Sequence, residues 1–112
     1  MYETIKTEDT QGFHIVFSAE PEDMDPRLCW LEDQDIEDIR RKIDNGTYLW
    51  FVARVEAYRH GVLLASDYLG GCLYESFEDF TQEGGYYEDM VHNVITAAKS
   101  TLARLGRPVE TI

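Results

Sequence analysis

The cysteines and histidines of this 112-residue chain, together with its scattered hydroxyls, are the candidates for a nucleophile or a general base, and the former are Cys29, Cys72, His14, His60 and His92. A nucleophile needs a base within hydrogen-bond reach and a donor for the developing oxyanion, and no motif spacing groups these side chains. The simpler interpretation places His60 in a turn and Cys72 in the core as a small apolar side chain. We therefore expect no catalytic residues, with a small enzyme that uses Cys72 as one alternative.

Metal and nucleotide sites also lack their characteristic spacings. The acidic run from Glu20 to Asp25 has the composition of a calcium loop but neither the spacing nor the mid-loop glycine of an EF-hand. The cysteines and histidines do not have zinc-motif spacing, and the glycines form neither GxGxxG nor GxxxxGK. We expect no metal and no cofactor.

The charge of the chain is its main functional clue. It has 22 acidic and 10 basic residues, a net charge of −12, which repels nucleic acid and anionic membranes and attracts basic partners. Residues 20–44 contain 10 acidic and 4 basic residues, and residues 75–89 contain 6 acidic residues and no basic one. These two segments supply the candidate partner-binding carboxylates. They are Glu75, Glu78, Asp79, Glu83, Glu88 and Asp89, and as a second set Glu32, Asp33, Asp35, Glu37 and Asp38.

Helical carboxylates can imitate a nucleic-acid backbone. On an exposed helix face they repeat about 5–6 Å apart at i, i+3 and i+4, close to the spacing of phosphates along a strand. Such a surface fits a basic groove built for DNA or RNA. The competing interpretation is a solvated face, and the i, i+4 pairs Glu37–Arg41 and Asp38–Lys42 are expected to neutralise part of the first segment.

Segment 75–89 has no such neutralisation. Its acids alternate with aromatic residues, a composition typical of protein-binding surfaces. These aromatic residues are Phe77, Phe80, Tyr86 and Tyr87. Trp50 and Tyr58, which are expected to be exposed on a sheet, complete the candidate site as apolar anchors.

A hairpin from Tyr48 to Tyr74 organises the elements that position these residues. Aromatic and β-branched residues alternate with others on both sides of His60-Gly61, which predicts two antiparallel strands and a tight turn. The register that follows pairs Arg59 with Val62, Val55 with Ser66, and Arg54 with Asp67. It directs one set of side chains to the core, namely Leu49, Phe51, Ala53, Val55, Ala57, Leu64, Ser66 and Tyr68. The half-polar opposite face, which includes Trp50, Val52, Leu63 and Leu69, is a candidate homodimer interface.

The remaining elements follow from periodicity and breakers. Residues 12–20 alternate as a third strand, and residues 1–11 are a frayed lead-in, in which Tyr2 and Ile5 offer an optional edge strand. A helix begins near Asp33 or Gln34 and ends at Asn45-Gly46, a short helix or turn follows Ser76, and a last helix covers residues 87–105. We predict a single α+β domain, a two-layer sandwich of order β-α-β-β-α. Its three-stranded antiparallel sheet, or four-stranded if the edge forms, carries the helices on one face.

The chain resembles the small acidic phage and prophage proteins that inhibit host defence, including anti-CRISPR and anti-restriction DNA mimics. The likeness lies in length, acidity, the lack of a catalytic motif, and the stretches 67–74 and 86–91. It implies a non-enzymatic inhibitor that binds the basic surface of a nucleic-acid-binding protein and contacts neither nucleic acid nor membrane. No signal peptide or apolar span is recognisable, so we expect a cytoplasmic protein. An immunity protein or antitoxin that blocks a cognate toxin is the other alternative.

Overall fold

The structure is a computed structural model that describes residues 1–24 and 36–105. This part of the chain forms four strands and three helices, so the predicted α+β class is confirmed. The strands are β1 (Glu3–Thr10), β2 (Phe13–Pro21), β3 (Leu49–Arg59) and β4 (Val62–Tyr74). The helices are α1 (Ile36–Asp44), α2 (Phe77–Gln82) and α3 (Tyr86–Leu105).

The strands form one antiparallel sheet in the order β1-β2-β3-β4. Both hairpin turns have two residues with positive φ, His60-Gly61 at 52° and 77° and Gln11-Gly12 at 53° and 85°. This geometry suits the right-handed twist of the flanking strands. The predicted turn at His60-Gly61 is confirmed, and the sheet is four-stranded because residues 3–10 form a full strand rather than a frayed lead-in. The predicted order therefore omits β1 and α2.

The register of the central hairpin agrees with the prediction only next to the turn. Arg59 pairs with Val62 as expected, but Leu64 has no partner on β3. This extra residue is a β-bulge, and beyond it residues 65–69 of β4 are displaced by one position, up to a second shift at Gly70-Gly71. Such a displacement exchanges the two faces of the strand, because side chains alternate along it.

Two predicted cross-strand pairs are consequently wrong. Val55 pairs with Asp67 instead of Ser66, and Arg54 pairs with Tyr68 instead of Asp67. The expected charge pair between strands therefore does not form. Ser66 and Tyr68, which were predicted to face the core, are exposed.

The bulge turns Asp67 and Leu69 toward the helices. The Asp67 carboxylate accepts a hydrogen bond from the Asn93 amide of α3 at 3.2 Å. Leu69 packs against the core, so it does not belong to the proposed dimer face. The polar residue that the shift directs to the helix side thus has a hydrogen-bond partner on α3.

Helices α2 and α3 cover the apolar face of the sheet. The core joins Phe17 of β2 and Phe51 of β3 to Phe80 of α2, with ring centroids 5.2 and 5.5 Å apart. Helix α3 contributes Tyr87, Met90, Val94, Ile95 and Ala98. Leu105, the last residue of α3, is 73% exposed.

Helix α1 lies apart from this two-helix layer. Its C-terminal turn lines a cleft with Trp50, whose side chain points to the opposite sheet face because it alternates with the buried Phe51. The backbone N–H of Tyr48 donates to the carbonyl of Lys42 at 2.9 Å and holds α1 at the end of β3. The prediction that the first helix also covers the apolar face is therefore wrong. Its predicted start lies outside the described residues, and its predicted end at Asn45-Gly46 is confirmed by the φ of 84° at Gly46.

Within the described residues, no helix combines the length and the apolar character needed to cross a bilayer.

Candidate functional site

The first set of predicted carboxylates lies in α2, in the first turn of α3 and in the segments that flank α2, and we call it the acidic surface. It comprises Glu75, Glu78, Asp79, Glu83, Glu88 and Asp89. Asp79 is partly buried and the other five are exposed. Ser76 fixes the start of α2, because its hydroxyl accepts a hydrogen bond from the N–H of Asp79 at 3.1 Å, as the predicted N-cap requires.

Among the described residues, no basic side chain forms an ion pair with the acidic surface. Four of its acids lie in the first turns of α2 and α3, where the helix dipole stabilises negative charge. Local helix stability therefore accounts for part of this charge. Glu75 and Glu83 lie outside those turns, so the dipole does not explain them.

The aromatic residues of segment 75–89 are mostly structural. Phe80 is fully buried, Tyr87 is 5% exposed, and Phe77 packs against the core. Only Tyr86 is exposed, at 53%. The predicted alternation of acids and exposed aromatics is therefore wrong for three of the four rings, because α2 and α3 turn those rings onto the sheet.

An open groove runs beside the acidic surface, and we call it the edge groove. It has a volume of about 350 Å³. Its lining consists of Leu69, Gly70, Gly71, Cys72, Leu73 and Tyr74 of β4 with Tyr86 of α3. Burial raises the pKa of the Tyr74 hydroxyl, and the negative charge of Glu83 raises it further. The groove thus has apolar and aromatic walls, and the charge of Glu83 acts on one of them, Tyr74.

The second predicted set is less suited to a partner. Glu32, Asp33 and Asp35 lie outside the described residues. Glu37 and Asp38 belong to α1 and have basic partners on the same helix.

The ion pairs of α1 differ in part from the predicted ones. Asp38 pairs with Lys42 at 3.2 Å as expected. Glu37 lies 3.9 Å from Arg40 rather than pairing with Arg41, which instead binds Asp38 at 3.1 Å. The solvated, self-neutralised interpretation therefore describes this helix better than the phosphate-like one.

The two predicted apolar anchors are partly buried rather than exposed. Trp50 donates from its indole nitrogen to the carbonyl of Met24 at 2.8 Å. Burial and the carboxylate of Glu56 raise the pKa of Tyr58. Both residues lie on the open face, by which we mean the sheet face opposite α2 and α3.

The open face also holds a polar cluster that sequence reasoning missed. The Arg54 guanidinium lies 3.4 Å from the Glu56 carboxylate and 4.0 Å above the ring of Tyr2, which in turn contacts Tyr68. Tyr2 precedes β1, whose pairing with β2 the sequence offered only as an optional edge strand. Arg54 contacts Glu56 and Tyr2 within the sheet face, so we interpret the cluster as a structural feature of the sheet.

The structure assembles no nucleophile and base from the described candidates. Cys72 is 4% exposed, and burial raises the pKa of its thiol to about 11, which keeps it protonated at neutral pH. His14 bonds the exposed Asp9 at 2.8 Å, and His60 and His92 are exposed on separate elements. Cys29 lies outside the described residues, and within them no group of acids, histidines and cysteines has the arrangement of a metal site.

Comparisons of the chain with protein-family models, with curated proteins and with solved structures gave no match.

Proposed function

We propose that the chain is a non-enzymatic inhibitor that binds the basic groove of a nucleic-acid-binding protein through its acidic surface. The carrying observation is a set of carboxylates without basic partners among the described residues, beside the exposed ring of Tyr86. In this proposal the carboxylates replace phosphates in contacts with Arg and Lys of the target. The inhibitor acts in the cytoplasm, where phages and prophages oppose host defence complexes.

Tyr86 and the edge groove give this surface more than charge. Interfaces draw much of their affinity from a few buried aromatic or apolar contacts, and a charged rim adds on-rate and specificity. Exposed ion pairs contribute about 0.2–1 kcal/mol each. An acidic surface alone would therefore bind weakly, and the groove supplies a place for apolar anchoring.

The test begins with capture of the target. The tagged chain is incubated with nuclease-treated bacterial lysate and eluted with a salt gradient, and the captured protein is identified by mass spectrometry. Its binding to labelled DNA or RNA is then measured with and without the chain. We expect the chain to abolish nucleic-acid binding, with an affinity that falls as salt rises.

Two charge-matched variants separate a specific surface from bulk acidity. E75Q/E83Q/E88Q/D89N removes four charges from the acidic surface, and E3Q/D9N/D23N/D44N removes four exposed charges elsewhere. We expect the first to weaken binding about tenfold to a hundredfold and the second to have little effect.

Three results would contradict the proposal. They are equal losses in both variants, binding unchanged at about molar salt, and capture of a target that does not bind nucleic acid. Capture of one small toxin whose catalysis is blocked would establish the immunity-protein alternative instead.

A further inference from the structure

Strand β4 leaves one edge of the sheet open within the described residues. It is the last strand of the sheet, is 13 residues long, and contains one charged residue, Asp67. At the other edge, β1 carries charges at Glu3, Lys6, Glu8 and Asp9, and charged side chains on an edge discourage pairing with another strand. The two edges therefore differ in kind, and only the β4 edge is suited to accept a further strand.

The edge groove lies along this open edge. Six consecutive residues of β4, from Leu69 to Tyr74, line it. Cys72 points to the core and Leu73 to the open face, so a groove that both residues line lies along the edge of the last strand. Tyr86 closes the groove on the side of α3.

The backbone of β4 has capacity for additional hydrogen bonds. On an edge strand, alternate residues direct their N–H and C=O groups away from the sheet. No backbone group of β4 bonds to another backbone group beyond the β3 ladder in the described part of the chain. Side chains occupy some positions, including the Leu64 carbonyl, which Thr101 contacts, and the Gly71 N–H, which Glu22 accepts.

The negative charge near the β4 edge indicates what kind of strand could pair with it. The exposed Glu75 follows β4 directly, and the charge of Glu83 raises the pKa of Tyr74 at the same end of β4, so an added strand would meet negative charge there. Its open-face side would meet exposed or partly exposed apolar residues, Tyr68 and Leu73. A second copy of this chain, with a net charge of −12, is the wrong charge for such a position.

We propose that an extended segment of the partner, with Lys or Arg alternating with apolar residues, adds to the β4 edge as a fifth strand. Main-chain hydrogen bonds supply affinity, and the alternating side chains supply specificity. This inference rests on the proposed function and states how the target is recognised.

The test uses a synthetic probe and the full-length chain. The probe is the capped heptapeptide RVRVRVR, and its control is the same heptapeptide N-methylated at every internal residue. Both peptides carry the same charge. Only the first has the backbone N–H groups needed for a ladder of hydrogen bonds with β4. We expect the unmethylated peptide to bind about tenfold tighter or more by fluorescence anisotropy. Hydrogen exchange should slow at amides of residues 69–74 and not at those of β1.

Two substitutions on the chain sharpen the result. Tyr86→Ala removes one wall of the groove. It should weaken binding of the unmethylated peptide more than binding of the N-methylated control. Leu105→Ala truncates another exposed apolar side chain of α3, one that does not line the groove, and should leave binding unchanged.

Strand addition is overturned if both peptides bind with equal affinity. It is also overturned if the peptide slows hydrogen exchange at amides outside residues 69–74. If the charge variants nevertheless lose the captured target, the acidic-surface proposal stands without this inference. Strand addition can also be observed while E75Q/E83Q/E88Q/D89N still captures the target with unchanged affinity. In that case the proposed function fails and the strand-binding site remains. A concentration-dependent dimer that competes with the peptide would assign the edge to a second copy and overturn the proposal.

Discussion

At the residue scale, burial suppresses the ionisation of Cys72 and Tyr87. Cys72 Sγ contacts the Leu69 carbonyl at 3.3 Å, and burial raises the pKa of the thiol to about 11. The Tyr87 hydroxyl lies 3.5 Å from the Glu8 carboxylate. Burial and this charge raise the pKa of Tyr87 to about 12. Neither group is available as a nucleophile or base at neutral pH, which argues against the alternative of an enzyme that uses Cys72.

We expect the free energy of unfolding to fall as pH rises above 9. The ordinary pKa values of these groups are 9.0 and 10.0, so each ionises in the unfolded chain before it ionises in the folded one. The contribution of each group to the free energy of unfolding is fully present below its unfolded-state pKa. It is lost as pH rises toward the folded-state pKa. Urea unfolding across this range should show a decrease of about 2 kcal/mol.

Two conservative variants provide the controls for this decrease. Cys72→Ala should remove the share of the decrease in unfolding free energy that begins near pH 9. Tyr87→Phe should remove the share that begins near pH 10. If both variants lose stability as steeply as the unmodified protein, other groups control the alkaline transition.

At the element scale, a contact between distant segments holds the second irregularity of β4. The pairing of β3 with β4 shifts between Phe51 and Ala53, opposite Gly70 and Gly71. Glu22 supports this bulge by accepting the N–H of Gly71 at 2.8 Å. Because these glycines line the edge groove, Glu22 also helps to shape the candidate site.

We expect Glu22→Ala to destabilise the protein by about 1–2 kcal/mol, because it leaves a partly buried N–H without its charged acceptor. Glu22→Gln retains a side-chain acceptor and should cost less. Gly70→Ala should resemble Glu22→Ala, since its Cβ would lie 2.9 Å from the Glu22 carboxylate oxygen. Chemical denaturation measures all three.

Gly46→Ala is the matched control for this series. Gly46 has a φ of 84° and open space around it, so its substitution reports backbone strain alone. If Glu22→Gln is as destabilising as Glu22→Ala, charge rather than hydrogen bonding holds the bulge.

At the scale of the whole molecule, the net charge of −12 opposes folding through self-repulsion. We expect a rise from about 0.05 to about 0.5 M sodium chloride to increase the free energy of unfolding by about 0.5–1 kcal/mol, because salt screens exposed charges. The variant E75Q/E83Q/E88Q/D89N should gain less from salt. A salt response equal to that of the unmodified protein would show that these acids do not repel one another.

Part of the site was predictable from particular residues. The absence of basic residues in segment 75–89 already indicated an unneutralised surface, and Ser76 indicated the helix start. The burial of Phe77 and Phe80 could also have been predicted, because they are spaced i, i+3 and face inward together. The same applies to Tyr87, which begins the stripe that Met90 and Val94 continue.

The sequence by itself determined the α+β class, the turn at His60-Gly61, the helix ends and the distribution of charge. These features depend on turn chemistry and periodicity among near neighbours. Only the tertiary structure decided the pairing of β1, the bulge at Leu64 and the groove along β4. Those features depend on how separate strands match one another and on contacts such as that of Glu22 with Gly71, 49 residues apart. A local pattern carries no information about such distant partners.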